Sequence, residues 1–83
     1  MSDELKAYRE TAKVTQAEMA RLMGLGTTAY QDLETGLSMY KARHQLALER
    51  VSLRLAVERV DLNLALPAVR RDALDLARMI RDE

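Results

Sequence analysis

Two glycines, Gly24 and Gly36, punctuate the most constrained stretch of this chain, V-T-Q-A-E-M-A-R-L-M-G-L-G-T-T-A-Y-Q-D-L-E-T-G from Val14 to Gly36. Glycine enters left-handed backbone without the Cβ clash that other residues meet, so it commonly sits just past a helix C-terminus. At the head of the same stretch Thr15 and Glu18 form a T-x-x-E capping box, and Val14 and Met19 occupy the two positions of a hydrophobic staple. Such a cap is worth ~1 kcal/mol, enough to pin a helix start. The spacing predicts one helix over Gln16–Met23, a short turn, and a second helix over about Thr27–Thr35.

The remainder also reads as helix. Three glycines, one proline and an apolar content of Leu, Ala, Met and Val without Phe or Trp leave little material for turns or strands. A first helix is expected from about Asp3 to Ala12, capped by Ser2 or Asp3, with Leu5, Tyr8 and Ala12 on one face. The second should bury Met19, Ala20, Leu22 and Met23. In the third, at about 100° per residue, Ala29, Tyr30 and Leu33 share one arc, while Thr27, Thr28, Gln31, Asp32 and Thr35 share the opposite one. A fourth, longer helix runs from about Met39 or Tyr40 to Arg59. Residues 51–57 alternate apolar and polar as a strand would, but composition and length favour helix. Leu46, Leu53, Val57 and Val60 form one stripe on it; Leu48, Val51 and Leu55 lie almost opposite, so it needs two partners. The run D-L-N-L-A-L-P ending at Pro67 breaks the pattern, and proline suits the first turn of a last helix. There Val69, Ala73, Leu76, Ala77 and Ile80 form a stripe, and Arg70, Arg71, Asp72, Asp75 and Arg78 face water. The expected fold is all-α, a compact bundle of about five helices with a long fourth helix and a C-terminal one. Residues 1–60 form the main domain, and 61–83 a C-terminal extension for packing or dimerisation.

Several classes of function are disfavoured. Cysteine is absent, which suits a reducing compartment. No apolar run nears the ~18 residues of a membrane span, and the M-S-D-E start is acidic rather than signal-like; a cytoplasmic protein without membrane contact is expected. His44, the single histidine, has no set of metal-ligand partners, and a surface or helix-terminus role suits it better. No nucleophile–base pair, carboxylate dyad or phosphate-cradling loop is visible, so neither an enzyme nor a bound cofactor or metal is expected. The methionines at 19, 23 and 39 read as core filler, and Arg70-Arg71 as a wet helix face. A chain of 83 residues buries only about 60% of its unfolded surface, and pairing with a second copy is a common remedy.

Net charge is zero, with thirteen basic and thirteen acidic residues, where a nucleic-acid binder usually carries a basic bias. The distribution is more informative. Residues 37–59 hold Lys41, Arg43, Arg50, Arg54 and Arg59 against only Glu49 and Glu58. Positive charge therefore begins just after the third predicted helix, where a loop can meet a phosphate backbone.

Residues 5–36, through L-K-x-Y-R from Leu5, V-T-Q-A-E-M-A from Val14, R-L-M-G to Gly24 and L-E-T-G to Gly36, resemble the Cro/lambda-repressor-like helix-turn-helix family, also called the XRE family. The resemblance implies a DNA-binding fold in bacterial and phage regulators. It implies that Gln16 contacts a phosphate, that Thr27, Thr28 and Asp32, with Gln31 nearby, face bases, and that Lys41, Arg43 and Tyr40 meet phosphates. It also implies a structural ion pair between Arg9 and Glu34. Three departures stand out. Gly26 takes an N-cap position usually held by serine or threonine. Asp32 stands where glutamine, arginine or serine is common; it can accept from cytosine's amino group but repels phosphate, and also reads as a surface acid. A long fourth helix and a separate last helix replace two short ones.

The expected function is a sequence-specific transcriptional regulator, acting as a homodimer on double-stranded DNA and repressing by occupying an operator. The alternative is a protein-interaction module, an antitoxin or adaptor on the same scaffold with weak or lost DNA binding. Zero net charge and Asp32 motivate it.

Overall fold

The computed structural model describes residues 2–82 and is all-helical. Its elements are α1 (Ser2–Ala12), α2 (Gln16–Met23), α3 (Thr27–Thr35), α4 (Ala42–Glu58), a 3-10 turn (Leu62–Leu64) and α5 (Pro67–Arg81). The chain divides into two units, one reaching to Leu48 and the other beginning at Glu49. The Ser2 side chain lies outside the described residues, and with it the question of whether Ser2 caps α1. Asp3 and Glu4 sit in the first turn, where acids favour the helix dipole.

In the first unit α3 packs against both α1 and α2. Leu5, Tyr8 and Ala12 from α1, Val14, Met19, Ala20, Tyr30, Leu33 and Leu48 are buried. Both ends of α2 and the C-terminal end of α3 have local causes. The Thr15 hydroxyl accepts from the Glu18 backbone N–H at 3.1 Å. Only that half of the capping box forms, because the Glu18 carboxylate is taken by the Arg21 guanidinium one turn on. Gly24 closes α2 in left-handed backbone (φ 75°), and Leu25 N–H reaches back to Ala20 C=O at 2.8 Å. Gly36 does the same for α3 (φ 86°).

Some expectations fail in instructive ways. Leu22 and Met23 are only half-buried, and Ala29 and Met39 are exposed. Ala29 and Met39 line an open groove instead of filling a core. Helix α4 begins at Ala42, later than Met39 or Tyr40, because Lys41 occupies its N-cap. Lys41 C=O accepts from the His44 and Gln45 N–H groups (2.9 and 3.2 Å). Lys41 N–H donates to His44 Nδ1 at 2.9 Å, so histidine plays the part that Glu or Gln takes in a capping box.

In the second unit Val51, Ser52, Leu55 and Ala56 are buried together with Leu64 and Ala65. The other α4 stripe is bare: Leu46, Val57 and Val60 are exposed and Leu53 is half-buried. Ser52, fully buried, donates to Glu49 C=O at 2.7 Å and accepts from Leu66 N–H at 3.0 Å. That bond ties α4 to the N-cap of α5, whose cap residue Leu66 has no side-chain oxygen to offer. Arg70 adds a clamp, its guanidinium donating to Ala65 C=O at 2.9 and 3.2 Å. Val60 ends α4 in left-handed backbone (φ 51°), an unusual place for a β-branched residue. Helix α5 is strongly amphipathic, yet none of its described residues is buried; Leu74, Leu76, Met79 and Ile80 are all exposed.

Candidate nucleic-acid interface

The turn between α2 and α3 is three residues long because Gly24 reverses the chain and Gly26 returns it to extended backbone (φ −70°, ψ 156°). Tyr30 N–H then closes the first turn of α3 on Gly26 C=O at 3.0 Å. Anchored on the other side by buried Tyr30, Leu33 and Glu34, α3 turns Thr27, Thr28, Gln31 and Thr35 outward, with Asp32 half-buried. These groups are short and polar, the kind that can approach base edges without carrying apolar surface into water. The Thr35 hydroxyl is turned back onto Gln31 C=O at 3.1 Å.

Behind this face lies a charged cluster. The Arg9 guanidinium donates to Glu34 from Nε (2.6 Å) and Nη2 (3.3 Å). It also reaches Val14 C=O at 3.1 Å, fastening the loop between α1 and α2. The Tyr30 hydroxyl and Gln16 Nε2 (3.0 Å) complete the carboxylate's set of donors. Burial alone pushes the Glu34 carboxyl upward. The hydrogen bonds from Arg9, Tyr30 and Gln16 outweigh it and hold the group below its ordinary value. Burial, with help from the neighbouring Glu34 charge, drives the Tyr30 hydroxyl well above its own. Both groups therefore keep their charge states across the neutral range, Glu34 ionised and Tyr30 neutral.

The structure brings Arg9, Gln16, Gln31 and Glu34 into one hydrogen-bonded chain, since Gln31 Nε2 donates to Gln16 Oε1 at 3.1 Å. It does not join Thr27, Thr28 or Asp32 to that chain. Lys41 and Arg43 lie elsewhere, exposed at the rim of a groove of about 500 Å³ that Leu25, Ala29, Leu33, Met39 and His44 also line. Tyr40 turns its hydroxyl to Gln45 Oε1 at 2.8 Å and sets its ring 5.7 Å from that of His44. Burial, aided by Arg43 and Lys41, lowers the pKa of His44 and keeps its Nδ1 available as an acceptor.

The polar role of one residue of this region escaped notice in the sequence. Tyr30 read only as core, although its spacing to Glu34 on one helix is a signal for contact. His44, expected at the surface or at a helix terminus, stands at the N-terminus of α4, buried and three places after the cap residue Lys41. Among the described residues, no cluster of three or more His, Cys, Asp or Glu side chains is placed to hold a metal ion. Nor is any described helix long and apolar enough to cross a membrane.

A short turn between two capped helices, with a polar outer face on the second, defines a DNA-binding helix-turn-helix domain. The chain belongs to that family: the family described as a helix-turn-helix domain matches residues 1–74. No curated protein and no solved structure matches the chain.

Proposed function

We propose that this protein is a sequence-specific transcriptional regulator of the Cro/lambda-repressor-like type, most simply a repressor that acts by occupying its operator. The observation that carries this reading is the outer face of α3, where Thr27, Thr28 and Gln31 stand exposed while Tyr30 and Leu33 anchor the helix. In this reading α3 enters the major groove. Thr27, Thr28, Gln31 and Asp32 face base edges there, and Gln16, Lys41, Arg43 and Tyr40 meet the phosphate backbone.

Residues 1–60 carry DNA binding, and 61–83 pair two copies in the cytoplasm of the cell. Exposed Leu76, Met79 and Ile80 on α5 support that pairing, since an amphipathic helix with no buried residue gains from covering its apolar stripe. A symmetric dimer requires two half-sites about one helical turn apart, roughly 34 Å.

Selection of bound sequences from a randomised DNA pool tests the proposal. A palindromic consensus with that spacing supports it. No enrichment at ~50 mM salt, where phosphate contacts are strong, overturns it in favour of a protein-interaction module on the same scaffold.

A further inference from the structure

Gln31 is exposed, yet its carboxamide is held. Its Nε2 donates to Gln16 Oε1 at 3.1 Å, and Gln16 Nε2 donates to Glu34 Oε1 at 3.0 Å. Glu34 is buried, with Arg9 and Tyr30 at the same carboxylate. A carboxylate has no hydrogen to give, so the first link admits one polarity only. Gln16 must turn its NH₂ group inward, which leaves its oxygen toward Gln31, and Gln31 must answer with a donor. Each amide by shape alone fits either way round. The choice is made in the core and passed outward through both.

We propose that this relay makes Gln31 an adenine-reading residue, with Gln16 and Glu34 as its positioning residues; the proposal rests on α3 being the major-groove helix. One Nε2 hydrogen of Gln31 is committed to Gln16. What remains is Oε1 and a single N–H, with no further hydrogen-bond partner among the described residues. Adenine presents one donor at N6 and one acceptor at N7 in the major groove, which matches that pair. Guanine presents two acceptors, O6 and N7, and calls for two donors where Gln31 has one left. Cytosine's amino group engages only the oxygen, and thymine's O4 only the N–H. Restraint before binding also removes part of the entropy cost of ordering a long side chain at the interface.

The test uses the full chain and the DNA site selected from a random pool. Replacing Gln31 by Ala identifies the base position it reads, and all four bases are then compared there. The wild type should favour adenine by roughly tenfold or more. Gln16→Met, of similar shape but without hydrogen bonds, should bring the four bases toward equality there. Loss of its phosphate contact weakens all sequences alike, so relative preferences elsewhere in the site stay as in the wild type. Glu34→Gln, which allows Gln16 to turn either way, should relax the same position. A DNA-free readout accompanies these: the Gln31 side-chain N–H exchanges slowly in the wild type and rapidly in Gln16→Met. If Gln31→Ala changes no base preference, Gln31 reads no base and this proposal falls, whereas failure to select any site from the pool is what brings down the major-groove reading itself. If Gln31→Ala erases a preference for a base other than adenine, or Gln16→Met leaves an adenine preference intact, only the relay is wrong.

Discussion

Arg9 Nε stands 2.6 Å from Glu34 Oε2 across α1 and α3, with 15% of the arginine side chain and 4% of the glutamate side chain exposed. The pair is a cross-brace between the first helix and the one that carries the candidate reading face. It also sets the charge that Tyr30 and Gln16 answer. A pair so enclosed contributes less when intact than it costs when halved, because the surviving partner remains buried and uncompensated.

Arg9→Ala should therefore destabilise the protein by about 3 kcal/mol, read as a shift in the urea midpoint with an unchanged slope. A loss below 1 kcal/mol would show that water reaches Glu34 freely. Acid acts on the same cluster. The Glu34 carboxyl lies below its ordinary value of 4.5 in the folded chain, so the unfolded chain binds the proton first. Its contribution is present above that value and is lost as pH falls through the lower folded one.

His44 gives a second, separate acid response. Its Nδ1 accepts from Lys41 N–H, which an imidazolium cannot do. Its pKa is lowered from 6.5 by burial and by Arg43 and Lys41. The α4 cap should thus hold above about pH 6.5 and weaken as pH falls below it through the folded value. His44→Gln, which keeps an acceptor without a proton to gain, should flatten the melting temperature between pH 7 and pH 5. An unchanged slope in that variant would assign the response to another group.

Val60 holds left-handed backbone (φ 51°) with 93% of its surface exposed. Substitution by glycine removes the Cβ conflict and gives up almost no burial. Val60→Gly should stabilise by about 1 kcal/mol, raising the melting temperature by roughly 4–8 °C for a domain of this size. Thermal unfolding followed by circular dichroism measures it, and a lowered midpoint contradicts it.

If Lys41 meets phosphate, Lys41→Ala should weaken binding about equally for all DNA sequences and reduce the salt slope by about one. Gln31→Ala should instead alter which sequences bind. Fluorescence anisotropy titrations on matched and mismatched duplexes at several salt concentrations separate the two behaviours. A Lys41→Ala effect confined to one sequence would remove Lys41 from the backbone-contact set.

On α5, Leu76→Glu places a charge in the middle of the exposed apolar stripe. Were two copies to pair through it, sedimentation equilibrium should show dimer for the wild type and monomer for the variant. A variant that stays dimeric moves the contact elsewhere.

Helix limits were legible wherever their causes are local. The Thr15 cap, Gly24, Gly36 and Pro67 each act within one helical turn, so a short window of sequence contains the whole argument. Apolar residues were less legible. Ala29, Met39, Leu46 and Val57 look like core but are exposed, because hydropathy records the preference of a side chain and not whether anything covers it. Lys41 as a helix cap was missed for a related reason: the acceptor it needs comes from a histidine, outside the usual capping vocabulary.

Chain order and local stereochemistry alone determined an all-helical protein, the turn between α2 and α3, and the polar arc of Thr27, Thr28 and Gln31. Tertiary structure decided what that arc is attached to. The bonds from Arg9 to Glu34, Gln16 to Glu34 and Gln31 to Gln16 span 25, 18 and 15 positions. A hydrogen bond needs donor and acceptor about 3 Å apart, and for groups so distant along the chain only the folding of α1, α2 and α3 onto one another brings that about.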